Sequence, residues 1–80
     1  MKRIRKSDLP KTKKWVDRYG THYQKDFPNA WYATRSQGYG LNSKWQLFNS
    51  DDEHVGIDLR SLQDVINLYN DWMYFNSKRK

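Results

Sequence analysis

The sequence predicts an α+β domain in the order α-β-β-β-α, a three-stranded antiparallel meander packed with two helices. Its residue periodicity carries this expectation, running near 3.6 residues before Pro28, near 2 from Ala30 to Leu59, and near 3.6 again from Ser61 onward. The connections between the strand segments are too short for parallel crossovers, so the strands pair antiparallel.

The first helix is expected over residues 9–26. Ser7 or Asp8 serves as its N-cap and Pro10 lies in its first turn, where a missing N–H costs nothing. On a helical wheel Thr12, Trp15, Val16, Tyr19, Tyr23 and Phe27 form an apolar stripe, and Lys11, Lys14, Arg18, His22 and Lys25 form a basic sector beside it. Gly20 weakens the middle by roughly 1 kcal/mol relative to Ala, leaving a break near Gly20-Thr21 open. Pro28 ends the helix, because the residue before a proline is pushed out of helical geometry.

Three strands are expected next, at 30–36, 44–49 and 54–59. Alternation turns Trp31, Ala33, Trp45, Leu47, Val55 and Ile57 inward and sends Tyr32, Thr34, Gln46, Phe48 and His54 to the other face. Gln37-Gly38-Tyr39-Gly40-Leu41-Asn42-Ser43 is a connection that displays Tyr39 at its tip. The second helix begins at Ser61, with Asp64 three residues later in a capping-box-like arrangement, and ends near Asn76. Its inner stripe is Leu62, Val65, Ile66, Tyr69, Trp72 and Met73, and its outer face is acidic and amide-rich. The expected core is Trp15, Trp31, Trp45, Trp72, Leu47, Val55, Ile57, Leu62, Val65, Ile66 and Tyr69.

Composition bounds what such a fold can do. Eighty residues support one domain, and Leu, Ile, Val and Phe together number 15, close to the level at which a highly charged chain stays disordered. Thirteen aromatic residues compensate, because rings bury a large area at small rotamer cost. The absence of Cys excludes disulfides and thiolate metal sites and fits a cytoplasmic location. The basic N-terminus has no apolar segment after it, and no run of eighteen apolar residues occurs, so neither a signal peptide nor a membrane partner is expected.

The formal net charge of +6 is unevenly distributed. Residues 1–28 hold nine Lys/Arg against three Asp, whereas residues 49–77 hold six carboxylates against Arg60 alone. The chain therefore reads as a basic flexible arm at 1–8, a single α+β domain at 9–77 and a basic tail at 78–80.

The expected function is non-enzymatic binding of nucleic acid, DNA or RNA, through the basic arm and first helix, with release of condensed counterions as the driving term. Candidate contacts are Lys2, Arg3, Arg5, Lys6, Lys11, Lys14, Arg18, Lys25, Arg35, Tyr39 and Lys44. Lys11, Lys14 and Arg18 would meet phosphates, and Arg35 or Tyr39 would touch bases. The alternative is a small protein-binding inhibitor or adaptor, of the kind mobile elements encode, acting on a larger host protein through exposed aromatics and the acidic second helix. Whether the chain is a monomer or a homodimer is left open.

No cofactor, metal ion or catalytic residue is expected. Asp51, Asp52 and His54 lack EF-hand or zinc-site spacing, and no local motif ties a Ser, a His and an Asp together. The order of elements resembles the double-stranded-RNA-binding domain, whose lysine-rich turn at the second helix is matched here by Arg60-Ser61-Leu62-Gln63-Asp64, with one cation. The three strands and following helix are also similar to the sheet-reading domains of plant AP2 factors and integrase arms, which would give Arg35, Lys44 and Gln46 a place in the major groove.

Overall fold

The computed structural model describes residues 3–38, 40 and 43–78, with only the backbone described at 77 and 78. It is a five-stranded antiparallel meander followed by one helix: β1 (Lys13–Asp17), β2 (Gly20–Asp26), β3 (Tyr32–Gly38), β4 (Trp45–Phe48), β5 (His54–Leu59) and α1 (Leu62–Lys78). Neighbours in sequence are neighbours in the sheet throughout. Short 3-10 turns at Lys6–Asp8 and Pro28–Ala30 precede β1 and β3.

The α-β-β-β-α order is therefore corrected, because the segment expected to be the first helix is the hairpin β1–β2. Asp17 and Gly20 pair across a two-residue loop, Arg18-Tyr19, and the Asp17 carboxylate accepts a hydrogen bond of 2.8 Å from the Tyr19 N–H. An Asp closing its own turn in this way offers the backbone an alternative to a helix. Gly20 has φ +140, and a Cβ there would overlap the Gln37 carbonyl oxygen on β3. Gly38, its direct partner, is held in the same way against Tyr19. Beside this backbone contact, Trp15, Val16, Thr21 and Tyr23 are residue types that suit a pleated surface. The resemblance to the double-stranded-RNA-binding domain, which rested on a helix before the strands, falls with that helix.

The expected strands and second helix correspond to β3, β4, β5 and α1. At the N-terminus of α1 the Ser61 hydroxyl accepts from the Asp64 N–H at 3.1 Å, satisfying one of the free first-turn donors. Val65, Ile66 and Tyr69 pack on Ala33, Trp45, Leu47 and Val55, with Phe27 and Trp31 closing one end. Tyr69 anchors that end. Its ring lies 5.0 Å from Phe27 and edge-on to Trp31, and its hydroxyl donates to the Pro28 carbonyl at 3.3 Å.

Three expected core residues lie outside. Trp15 is 46%, Trp72 44% and Ile57 73% exposed, against a sequence reading that buried all three. Trp15 belongs to β1, an edge strand exposed along its whole length. Ile57 is displaced by an irregularity in β5, where the register shifts between Trp45↔Leu59 and Leu47↔Val55. Gly56, at φ +74, faces the helix instead: a Cβ there would lie 2.9 Å from Leu68.

The helix lies chiefly over β4 and β5. The remainder of that sheet face, on β1, β2 and the adjoining part of β3, is left without a helix, and the molecule is elongated at 46 × 23 × 21 Å. Arg3 and Ile4, in the segment read as an arm, lie against the helix. Arg3 pairs with Asp71 at 3.3 Å, and Ile4 packs at the edge of the core.

Candidate nucleic-acid interface

Strand register assigns every charged side chain of the sheet to one face or the other, because successive residues alternate. On the helix-bearing face, Lys14 pairs across with Tyr23 and Tyr23 with Arg35, while Lys25 sits opposite Ala33. Asp17, Asp26 and Asp58, the carboxylates of the strands, all fall on the opposite face. There Asp17 and Asp26 bond to His22 and Lys13, and Asp58 accepts from Gln46. The helix-bearing face thus has three strand cations and no strand carboxylate.

The centre of its uncovered part is Tyr23. The Lys14 ammonium lies 5.9 Å and the Arg35 guanidinium 5.8 Å from the Tyr23 ring centroid, and the Trp45 ring lies 6.5 Å away. Each cation over a ring is worth about 0.5–1 kcal/mol where water has access. The Arg35 Nε–H also donates to the Ser43 carbonyl at 2.8 Å, tying the segment before β4 to this rung. Neither Lys14 nor Arg35 is paired with a carboxylate among the described residues, so both charges remain available to an anion.

The other expected contacts are dispersed. Lys2 and Tyr39 lie outside the described residues. Arg3 and Arg5 are engaged with Asp71 and Asp8, and Lys6, Lys11 and Lys44 are exposed. Arg18 is at the tip of the β1–β2 hairpin, 4.9 Å from the Tyr19 ring and donating to its hydroxyl at 2.8 Å. Lys25 is 5% exposed, its stem packed into the sheet, which leaves it no surface to offer a phosphate. The basic sector of the expected helix does not exist as a surface: Lys14 and Lys25 share a sheet face, His22 is on the other, and Arg18 is in a turn.

Tyr23 was absent from the expected contacts because the helical wheel placed it in the core stripe. The signal that identifies it is the two-residue spacing Thr21, Tyr23, Lys25, which is polar at both ends and so lacks the apolar alternation of a buried strand.

The opposite sheet face has no covering element among the described residues. It carries two ring clusters, Tyr32–Phe48–His54 and Trp15–His22. A hydrogen bond to Asp52 pushes the Tyr32 hydroxyl above its ordinary pKa, with burial adding to it. The His22 ring bonded to Asp17, helped by the Tyr19 N–H, holds that carboxyl below the usual range; Gln24 and then Lys13 do the same for Asp26. No group of three or more His, Asp or Glu among the described residues is arranged to hold a metal ion, and no described helix is long and apolar enough to cross a membrane. No protein-family model, curated protein or solved structure matches the chain.

Proposed function

We propose that the protein is a small nucleic-acid-binding module that receives a strand on the uncovered part of its helix-bearing face. The observation that carries this reading is the rung Lys14–Tyr23–Arg35, two cations flanking a ring on a face from which the strand carboxylates are excluded by register. Cations without carboxylate partners attract phosphates and release counterions, and aromatic and guanidinium planes stack on bases at about 1–3 kcal/mol each.

Fluorescence anisotropy with labelled 12-nucleotide DNA and RNA single strands tests it. Three phosphate contacts give a log–log salt slope near −2 and a loss of affinity of about 20-fold between 50 and 200 mM salt. Replacing Lys14 and Arg35 together by Ala flattens the slope by about 1.4. Absence of any salt-sensitive binding at low ionic strength rejects the proposal.

A second reading has its own observation. Trp72, Tyr74 and Phe75 are 44%, 46% and 69% exposed near the end of α1, beside Asp71, as a protein-binding inhibitor or adaptor requires. A stoichiometric protein partner recovered at high salt from nuclease-treated lysate, and lost on replacing Trp72 and Phe75 by Ala, favours it over the first.

A further inference from the structure

On the sheet face opposite the basic rung, Asp17, His22 and Ser36 form one hydrogen-bonded chain across three adjacent strands. His22 Nε2 lies 2.9 Å from Asp17 Oδ1, and His22 Nδ1 lies 2.8 Å from Ser36 Oγ. We propose that this chain is an activated-serine site that takes small activated carboxylic esters, with Ser36 as nucleophile, His22 as general base and Asp17 as the positioning residue.

The tautomer follows from the partners. An ionised carboxylate only accepts, so the ring proton resides on Nε2 toward Asp17, and Nδ1 presents its lone pair to the Ser36 hydroxyl. The hydrogen bond that keeps Asp17 ionised to lower pH than an ordinary carboxylate acts in the same direction. Trp15, the β1 partner of His22, stacks on the imidazole at 5.5 Å and limits its rotation. Asp17 is the charged group bonded to the ring; the nearest strand charges beyond it on this face, Lys13 and Asp26, are paired with each other at 3.1 Å.

A concavity adjoins the Asp17 end of the chain. The cross-strand row Trp15–His22–Ser36 is followed two residues along each strand by the row Asp17–Gly20–Gly38, so both rows occupy one face. The second row ends in two glycines, and a concavity of about 480 Å3 is lined by Asp17, Arg18, Gly20 and Gly38. Arg18 is the cation among the described residues that line it, with its guanidinium held on the Tyr19 hydroxyl and ring.

The reaction balances without a further reagent besides water. As Ser36 Oγ bonds to the ester carbon, its proton passes to His22 Nδ1. The bond from carbon to the leaving oxygen then breaks, and that oxygen takes the proton from Nδ1 and departs as an alcohol or phenol. Water, deprotonated by Nδ1, attacks the acyl-serine, and cleavage returns the proton to Ser36 Oγ and releases the acid.

The test uses the full chain with p-nitrophenyl acetate and a fluorophosphonate probe, reading the labelled serine by peptide mass spectrometry. Ser36 is expected to react well ahead of the exposed Ser50 and Ser61, which serve as internal controls. Ser36→Ala should abolish the label, and His22→Gln, checked for folding by circular dichroism, should slow it by about 100-fold. The wild-type rate against pH, which needs no variant, should rise to a plateau rather than follow hydroxide throughout. Equal labelling of Ser36 and Ser50, an unchanged rate in folded His22→Gln, or a rate that climbs with hydroxide without a plateau each overturns the proposal.

Discussion

The Asn70 side chain holds the backbone of Ile4 from both sides, accepting from its N–H and donating to its carbonyl, each at 3.0 Å. Asn70 is 4% exposed, so these bonds form where water does not compete freely. They attach the N-terminal segment to the middle of α1.

Asn70→Ala removes both bonds and leaves the Ile4 backbone groups to find water. A loss of about 1–3 kcal/mol in urea unfolding is expected, together with faster proteolysis within residues 3–8. Asn70→Asp keeps the acceptor but sets a buried carboxylate oxygen against the Ile4 carbonyl, so its cost should equal or exceed that of Ala.

Gly20 and Gly38 face each other across β2 and β3, and a Cβ on either meets main chain rather than a movable side chain. Gly20→Ala should cost about 2–4 kcal/mol, from strain at positive φ and separation of the strands. Amide hydrogen exchange should show lost protection in β1 and β2 while α1 stays protected.

Lys25 and Lys14 separate structural from binding cations. Lys25→Met removes a charge from a position that is 5% exposed while keeping the buried stem, so unfolding stability should hold or rise by up to about 1 kcal/mol and nucleic-acid affinity should be unchanged. Lys14→Ala, at an exposed position, should leave stability within about 1 kcal/mol and weaken binding. The reverse pattern would remove the basis for placing the strand on the Lys14–Tyr23–Arg35 rung.

Stability should fall at both extremes of pH. Asp17 and Asp26 have folded pKa values below the ordinary 3.8, so the unfolded chain binds protons first; their contribution is present above that value and is lost as pH falls through the folded values. At the alkaline end, burial raises the Tyr69 hydroxyl above its ordinary 10.0, so its contribution is present below 10 and is lost as pH rises toward the folded value. Thermal melts should show acid sensitivity reduced in Asp17→Asn and alkaline sensitivity reduced in Tyr69→Phe.

Much of the C-terminal half was legible in the sequence. Val65, Ile66 and Tyr69 recur at helical spacing behind a Ser61 cap, and Ala33, Leu47 and Val55 sit at alternating positions, because a buried face imposes its period on the residues that form it. Residues 13–26 carry no such imprint. β1 is exposed throughout, and in β2 the core-facing positions are Thr21, Tyr23 and Lys25, so no apolar alternation opposed the helical wheel. Ile57 was misplaced for a related reason, since the irregularity at Gly56 depends on how β5 meets Leu68 and β4.

The sequence by itself determined that the chain is a small α+β domain with a ring-rich core, an amphipathic C-terminal helix and an excess of positive charge toward its N-terminus. Only the tertiary structure decided that residues 13–26 form a hairpin, that Lys14 and Arg35 meet across Tyr23, and that Asp17, His22 and Ser36 join on the opposite face. Those meetings are cross-strand contacts, fixed by the Gly20–Gly38 register, and that register is a property of paired backbones rather than of any one segment.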